Sequence, residues 1–331
     1  METNVNVALA EFRKAMGMSQ PQFAEWLNKK LNRRYDRNRI SKMESGAEAV
    51  PAAVRLLTQR PAVFERTVVV AVANQKGGVG KTTTAVNLGY ALAASGHETL
   101  IVDMDSQANA TIHLGQNPLR LDEAQRTIYH VMLRRQPLAD VVVAVSDSAP
   151  LFLAPSSLSL AAAETELIAE PGSTQILAEK LKSLGGRFRF VVIDCAPQLG
   201  QLTMNALGAA DYVLVPTQTA ALSMMGIPQL LSTIDKIQDR VNPGLSVFGI
   251  LPTMFDSRTS QDKESLEELH ALYGERYRIF PEVGQATIYP RSAAAGRITL
   301  EVSPDTRGME IYVELAKSLI DTVAREAADA T

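Results

Sequence analysis

The sequence predicts an α/β fold with a mostly parallel sheet covered by helices on both faces, preceded by a small all-α domain. From Thr67 onward, short β-rich runs alternate with helical stretches, the pattern of successive βαβ units. Residues 1–60 carry helix patterns and no strand pattern. A chain of 331 residues is long enough for both parts, and 46% hydrophobic with 21% charged residues is the balance of a soluble globular protein with a sizeable core.

In the first part, Ser19 followed by Gln22 is a capping-box signature, and Phe23, Trp26 and Leu27 supply the apolar stripe of an amphipathic helix. A second helix starts at Asp36, turns Ile40 and Met43 inward and ends at Gly46, leaving Arg37, Asn38, Arg39 and Lys42 on its outer face. Pro51 opens one more short helix bearing Val54 and Leu57. The stretch 60–62 (RPA) punctuates the change of pattern. The predicted division is therefore a helical domain at 1–60, a linker at 61–66 and a second domain at 67–331. Strands are predicted at 68–73, 99–102, 151–154, 190–193, 212–215 and 247–251. Residues 309–328 form an amphipathic helix with Ile311, Leu315, Leu319 and Val323 in register. It lacks a basic face and aromatic wedges, so it is expected to pack on the domain and not on a membrane.

Charge divides along the chain. Residues 1–60 hold 11 Lys and Arg against 6 Asp and Glu, a net of +5, whereas 61–331 hold 22 against 30, a net of −8. A basic head on an acidic body points to a polyanionic partner for the head. The sequence has no charged-then-apolar leader and no apolar run of membrane-spanning length, and its one cysteine, Cys195, excludes a disulfide framework. A cytoplasmic protein without membrane partners is expected.

Residues 76–83 read KGGVGKTT between an apolar strand and a helical pattern, the context of a phosphate-binding loop. Gly77, Gly78 and Gly80 let the backbone curl so that its N–H groups, with those of Val79, Lys81, Thr82 and Thr83, point at phosphate oxygens. Lys81 reaches the terminal phosphates and the Thr82 hydroxyl ligates magnesium. Lys76, at the first position of the motif, is a surplus lysine and implies an extra demand for positive charge. Strand 100–105 (LIVDMD) delivers Asp103 and Asp105 to its C-terminal end, and 190–194 (FVVID) delivers Asp194. Ligands of open α/β sheets sit at those ends, so the acids converge on the loop. Asp194 is the expected magnesium partner through water, and Asp105 the acid that positions or deprotonates an attacking water.

KGGVGKTT, then DMDSQANAT at 103–111, then VIDCAP at 192–197, resembles the deviant Walker A ATPases of the P-loop NTPase class, and more narrowly the ParA branch. Segments 153–167, 202–218, 251–259 and 303–319 match the same pattern, so the resemblance covers essentially all of 67–320. It implies ATP and magnesium as cofactors, an ATP sandwiched between two protomers, Lys76 crossing to the partner's phosphates and Asp105 activating water. It further implies slow turnover stimulated by a ParB-type partner, nucleoid association and DNA binding without sequence preference by the ATP dimer. Arg258 matches one DNA-contact position of the family, and Arg291 or Arg297 substitutes at a second where 280–297 departs from the usual form. The stretch 219–226 (TAALSMMG) departs from the family at dimer-facing positions, and Met224 and Met225 fall there. Thr253, Met254 and Pro281 are candidates for the base rim.

The head resembles the XRE-type helix-turn-helix, which places Arg37, Asn38, Arg39 and Lys42 near phosphates and base edges of an operator. Its connection at 28–35 (NKKLNRRY) is longer than the usual turn: either the first helix continues, or the loop tracks the DNA backbone with Lys29, Lys30, Arg33 and Arg34. Cys195 is read as buried packing, and His97, His113, His130 and His270 show no metal-ligand spacing. The alternative to a partition switch is an ATP-responsive transcription regulator that moves no cargo. A MinD-like membrane ATPase is disfavoured by the acidic, alanine-rich end at 325–331.

Overall fold

Five β-branched and alanine residues in succession form strand β1, Val68–Val72, and every one of them is buried. Such a run suits a strand covered on both faces. The computed structural model describes residues 5–31, 33–58, 66–170, 172–219 and 226–329. The other strands are β2 (Thr99–Met104), β3 (Val143–Ala144), β4 (Leu151–Ala154), β5 (Phe190–Cys195), β6 (Tyr212–Gln218) and β7 (Ser246–Thr253). They form one seven-stranded sheet in the order β3-β4-β2-β5-β1-β6-β7. All pairings are parallel except β3 with β4, which is antiparallel at the edge. The chain winds one way from β1 to β2 and β4, returns through β5, and crosses to β6 and β7 on the other side of β1. The strand order therefore reverses at β1, where ligands of open α/β sheets bind.

Side-chain parity sorts the sheet into two cores. Val68, Val70, Val72, Ile101, Phe190 and Val192 join a cluster with Leu88 and Leu92 of the helix Lys81–Ala94 and with Leu315 and Leu319 of the helix Met309–Asp329. Val69, Ala71, Leu100, Val102, Ile193 and Cys195 turn to the opposite face and pack against Ile128, Leu177, Leu202, Leu207 and Leu230. Asp103 and Asp105 share the parity of Ile101, and Asp194 that of Val192. All three acids thus lie on the face covered by the helix that follows the glycine-rich loop.

Ahead of the sheet come α1 (Val5–Ala15), α2 (Gln20–Leu31), α3 (Arg37–Ser45) and α4 (Ala52–Thr58). They enclose a separate cluster of Leu9, Phe23, Ala24, Leu27, Tyr35, Ile40, Met43, Val50 and Val54. The Ser19 N–H and hydroxyl donate to Gln22 Oε1 at 2.9 and 2.8 Å, and Gln22 N–H returns to Ser19 Oγ at 3.5 Å, closing the capping box. Trp26 stacks on Phe23 with ring centroids 5.6 Å apart. α3 has Asp36 as N-cap and a left-handed Gly46 (φ 81°) as C-cap. Of the two options for 28–35, the first helix continues, to Leu31, and the Asn28 side chain then clips Tyr35 by accepting from its N–H and donating to its carbonyl. α4 packs on both the helix Lys81–Ala94 and the helix Met309–Asp329, and Arg33 pairs with Asp305 at 3.0 Å.

Six of the seven strands lie where the hydropathy pattern predicts them. The pattern contains no sign of β3, and it misses α1. Residues 59–65, most of the expected linker, and 220–225, which include Met224 and Met225, lie outside the described residues. Arg66, just before β1, pairs with Asp211 at 2.6 Å and with Glu326 at 3.2 Å, tying the entry to β1 onto the C-terminal helix.

Candidate functional site

The glycine-rich loop leaves β1 and closes at Gly80, the residue before the helix Lys81–Ala94. Gly78 and Gly80 have φ of 74° and 83°, a backbone region that side chains rarely adopt, so glycine is required there. A Cβ built at Gly77 or Gly78 meets nothing within 4 Å, so this side of the loop is open to an approaching group. The loop is braced from the ends of β6 and β7. Asn74 donates to the Pro216 carbonyl (2.8 Å) and Thr217 Oγ1 (3.0 Å) at the end of β6, and its Oδ1 accepts the Lys76 N–H at 3.0 Å. Thr253, at the end of β7, donates its hydroxyl to the Val79 carbonyl at 2.9 Å. Asn74 carries no motif signal in the sequence, and Thr253, a candidate for the base rim, also supports the loop.

Lys81 is buried and donates Nζ to the Lys76 carbonyl at 2.9 Å. Burial lowers its pKa, against the pull of Asp194, Cys195 and Asp105. Thr82 and Thr83 are half-buried in the first turn of the helix, and the Thr83 carbonyl accepts the Asn87 amide at 2.8 Å. The loop and first helical turn therefore present backbone donors and two lysines at the switch point of the sheet, an arrangement that suits a polyphosphate.

Strand register delivers the acids. Asp194 is opposite Val72 of β1 on one side and Asp103 of β2 on the other. It is 1% exposed, and neither carboxylate oxygen has a hydrogen-bond partner. The Thr82 hydroxyl lies close enough to favour the anion but short of hydrogen-bond geometry. Burial first, and then Asp103, raise the Asp194 pKa well above the usual carboxylate range, while Thr82 and Lys81 pull it down. A buried carboxylate with two unpartnered oxygens beside a threonine hydroxyl fits a hydrated cation such as magnesium. Asp105 sits two residues beyond Asp103, 8% exposed, and its Oδ1 accepts the Gln107 N–H at 2.9 Å. The helix that follows β5, Gln201–Ala209, is held at its N-terminus by Glu164, whose carboxylate accepts the Gln201 and Leu202 N–H groups at 2.7 and 3.3 Å. Cys195 faces the opposite core, where burial pushes its thiol far above its ordinary range. Among the described residues no group of three or more His, Cys, Asp and Glu could hold a metal ion by itself.

The cations expected to meet DNA are at the surface. Arg37, Asn38, Arg39 and Lys42 are all exposed on α3. Arg39 is paired with Glu48 at 2.7 Å and lies over the Tyr35 ring. Arg258 is exposed and forks onto Asp256 at 2.9 and 2.7 Å. Arg291 and Arg297 are exposed, the first on the helix Ile288–Ala294 and the second just past its end. Segments 255 and 284 are bridged, which sets the Arg258 loop beside the chain leading into that helix. No helix of the described residues is long and apolar enough to cross a membrane.

The profile described as AAA domain matches residues 67–247, beginning after α1–α4. The chain is 34% identical to the sporulation initiation inhibitor protein Soj of Bacillus subtilis, over 76% of this chain and 97% of that protein. It is 35% identical to the chromosome partitioning protein ParA of Myxococcus xanthus, over 76% of this chain and 87% of that one. Among solved structures, cobyrinic acid a,c-diamide synthase from Mycobacterium smegmatis with bound ADP and magnesium is 35% identical and superposes with a TM-score of 0.65, covering 77% of this chain and 94% of the other. The glycine-rich loop, the strand-end acids at the sheet's switch point and these relatives agree: the chain belongs to the ParA family of P-loop ATPases.

Proposed function

We propose that the chain is an ATP-hydrolysing, dimeric switch for plasmid or chromosome partition, with a helix-turn-helix head that binds operator DNA. The observation that carries the enzymatic part is the convergence of the open loop at 76–83 with the orphaned Asp194 carboxylate and Asp105 at one end of the sheet. Backbone N–H groups of Gly77, Gly78, Val79, Gly80, Lys81, Thr82 and Thr83 bind the phosphates of ATP. Lys81 gives up the Lys76 carbonyl for the terminal phosphates. Thr82 would hold magnesium directly and Asp194 through water, and the ion would supply charge neutralisation on the phosphates. Asp105 orients the attacking water and takes its proton. Lys76 reaches the phosphates bound by a second protomer, which couples nucleotide charge to dimerisation and favours the charge developing in phosphoryl transfer.

The relatives named for chromosome partitioning support a partition role, and the separate core of 1–60 supports a domain of its own joined at 61–66 to the ATPase domain, 67–331. Arg37, Asn38, Arg39 and Lys42 contact operator DNA, Arg258 and Arg291 contact DNA without sequence preference in the ATP dimer, and a ParB-type partner stimulates turnover. The exposed pairs Arg39–Glu48 and Arg258–Asp256 do not oppose this, because surface ion pairs are weak and a phosphate can replace the carboxylate. The protein acts in the cytoplasm on the nucleoid. ATP turnover measured with and without DNA, and with the protein encoded by the adjacent gene, tests the reading. Stimulation by the two together is expected. Near-zero hydrolysis in every combination overturns it, and ATP-dependent operator binding under those conditions would favour a regulator that moves no cargo.

A further inference from the structure

Asp103 is a fully buried carboxylate that the proposed chemistry does not use, and it has no cation as hydrogen-bond partner. Three donors converge on it. The Thr111 hydroxyl and N–H reach Oδ2 at 2.7 and 2.8 Å, and the Asp105 N–H reaches Oδ1 at 3.2 Å. Thr111 in turn accepts the Ser156 N–H on its hydroxyl oxygen at 2.9 Å. One carboxylate thus joins three segments that meet at the site: the end of β2 with Asp105, the helix Asn109–His113, and the loop that follows β4.

We infer that Asp103 is a positioning residue for the attack of water, acting through Thr111 and the Asp105 backbone. The inference rests on the assignment of Asp105 as the acid facing that water. An attacking water gains rate only if its acceptor is held within a fraction of an ångström, and a side chain at a strand end is held only as firmly as the backbone beneath it. The Asp105 backbone N–H is pinned by Asp103, while the Asp105 carboxylate is turned by the Gln107 N–H. Three donors require an acceptor-only group at position 103. Asparagine has the same size but presents an NH2 to one of those donors, so the network opens without a change of volume. The network lies on the end of β2, the helix Asn109–His113 and the loop after β4, not on the phosphate loop at 76–83, so nucleotide affinity is not its expected role.

The test uses the full chain with Asp103→Asn, Thr111→Val, Thr111→Ser and Asp105→Ala, measuring steady-state ATP turnover and the affinity for a fluorescent ATP analogue. Asp103→Asn and Thr111→Val are expected to lower kcat about 10- to 100-fold while the dissociation constant stays within about threefold. Thr111→Ser keeps the hydroxyl and should recover turnover to within about threefold of the parent. Unchanged kcat in Asp103→Asn and Thr111→Val overturns the inference, as does a loss of nucleotide affinity as large as the loss of turnover. If Asp103→Asn fails to fold, judged by circular dichroism, the Thr111 pair decides. Asp105→Ala separates the two levels: full turnover in that variant removes the assignment of Asp105, whereas loss of turnover there with a normal Asp103→Asn removes only the role of Asp103.

Discussion

The Lys81 ammonium donates to the Lys76 backbone carbonyl at 2.9 Å, so the side chain of one loop lysine is satisfied by the backbone of the other. Both lysines lie in one eight-residue motif, Lys76 in the loop and Lys81 at the start of the helix, and they are placed differently. Lys81 is buried among Asp194 and Asp105, and Lys76 is half-exposed at the loop entry. The side chain of Lys81 therefore belongs to its own protomer's site. Removing it, in Lys81→Ala, should weaken ATP binding about 10- to 100-fold, the worth of a charge-assisted contact to phosphate, and abolish turnover. Lys76→Ala should retain binding in the monomer but lose hydrolysis and stable ATP dimers. Equilibrium nucleotide binding and analytical ultracentrifugation separate the two outcomes, and normal dimers with normal hydrolysis in Lys76→Ala would refute the role given to that lysine.

The head is held by a partly buried fork. Arg13 Nε and Nη2 donate to the two oxygens of Glu44 at 2.6 and 3.1 Å, Gln20 adds a third bond at 2.9 Å, and the side chains are only 13% and 10% exposed. Breaking a fully buried pair from one side costs about 3–5 kcal/mol, and this partly buried one costs less than that. Glu44→Ala should therefore unfold the head at far lower denaturant than the parent. Tryptophan fluorescence reports this directly, since Trp26, the chain's single tryptophan, packs against Phe12 and Phe23 in that core.

Much of this was readable in the sequence because it is written in local periods. Buried parallel strands are continuous apolar runs, so β1, β2, β4, β5, β6 and β7 stood out. The two-residue β3 is defined only by its partner β4. α1 offers one buried leucine, Leu9, beside the partly buried Phe12, and its Arg13 is absorbed by Glu44, 31 residues away. The acids Asp105 and Asp194 were legible because they end apolar strands. Asn74, Thr111, Glu164 and Thr253 were not, because each acts on backbone brought near by the tertiary fold.

Two buried histidines make acid stability testable. Burial pushes His97 down to about 4, helped by Arg189, and pushes His113 down to about 4 against an upward pull from the Arg297 backbone. Both are neutral in the folded chain, and the ring Nε2 of His113 lacks a hydrogen-bond partner. In the unfolded chain a histidine titrates near about 6.5. Unfolding thus takes up protons between those values, and the stability these groups contribute above about 6.5 is lost as the pH falls toward 4. Asp103, raised chiefly by burial, works in the opposite sense, so wild-type data alone do not isolate the histidines. Comparison with His113→Gln does. The stability difference should move in favour of the variant as the pH falls from 7 to 5, with a slope approaching about 1.4 kcal/mol per unit for one proton. Urea denaturation at the two pH values measures it, and a parallel shift of both proteins would show that His113 does not titrate on unfolding.

Removing residues 1–60 tests the division of labour between head and body. The head has its own core, and the exposed Arg33–Asp305 pair that tethers it, 39% and 56% exposed, contributes little to the body. Deletion also strips α4 from the helices Lys81–Ala94 and Met309–Asp329, so a modest loss of body stability is expected but not unfolding. The head carries the positive charge, +5 against −8 for the remainder, and the exposed arginines and asparagine of α3. The truncated protein should therefore lose preference for its own operator over random DNA, while retaining ATP-dependent binding that weakens steeply with salt through Arg258 and Arg291. Fluorescence anisotropy with operator and random duplexes across a salt series reads both properties. Retained operator preference without the head would move sequence recognition to the ATPase body.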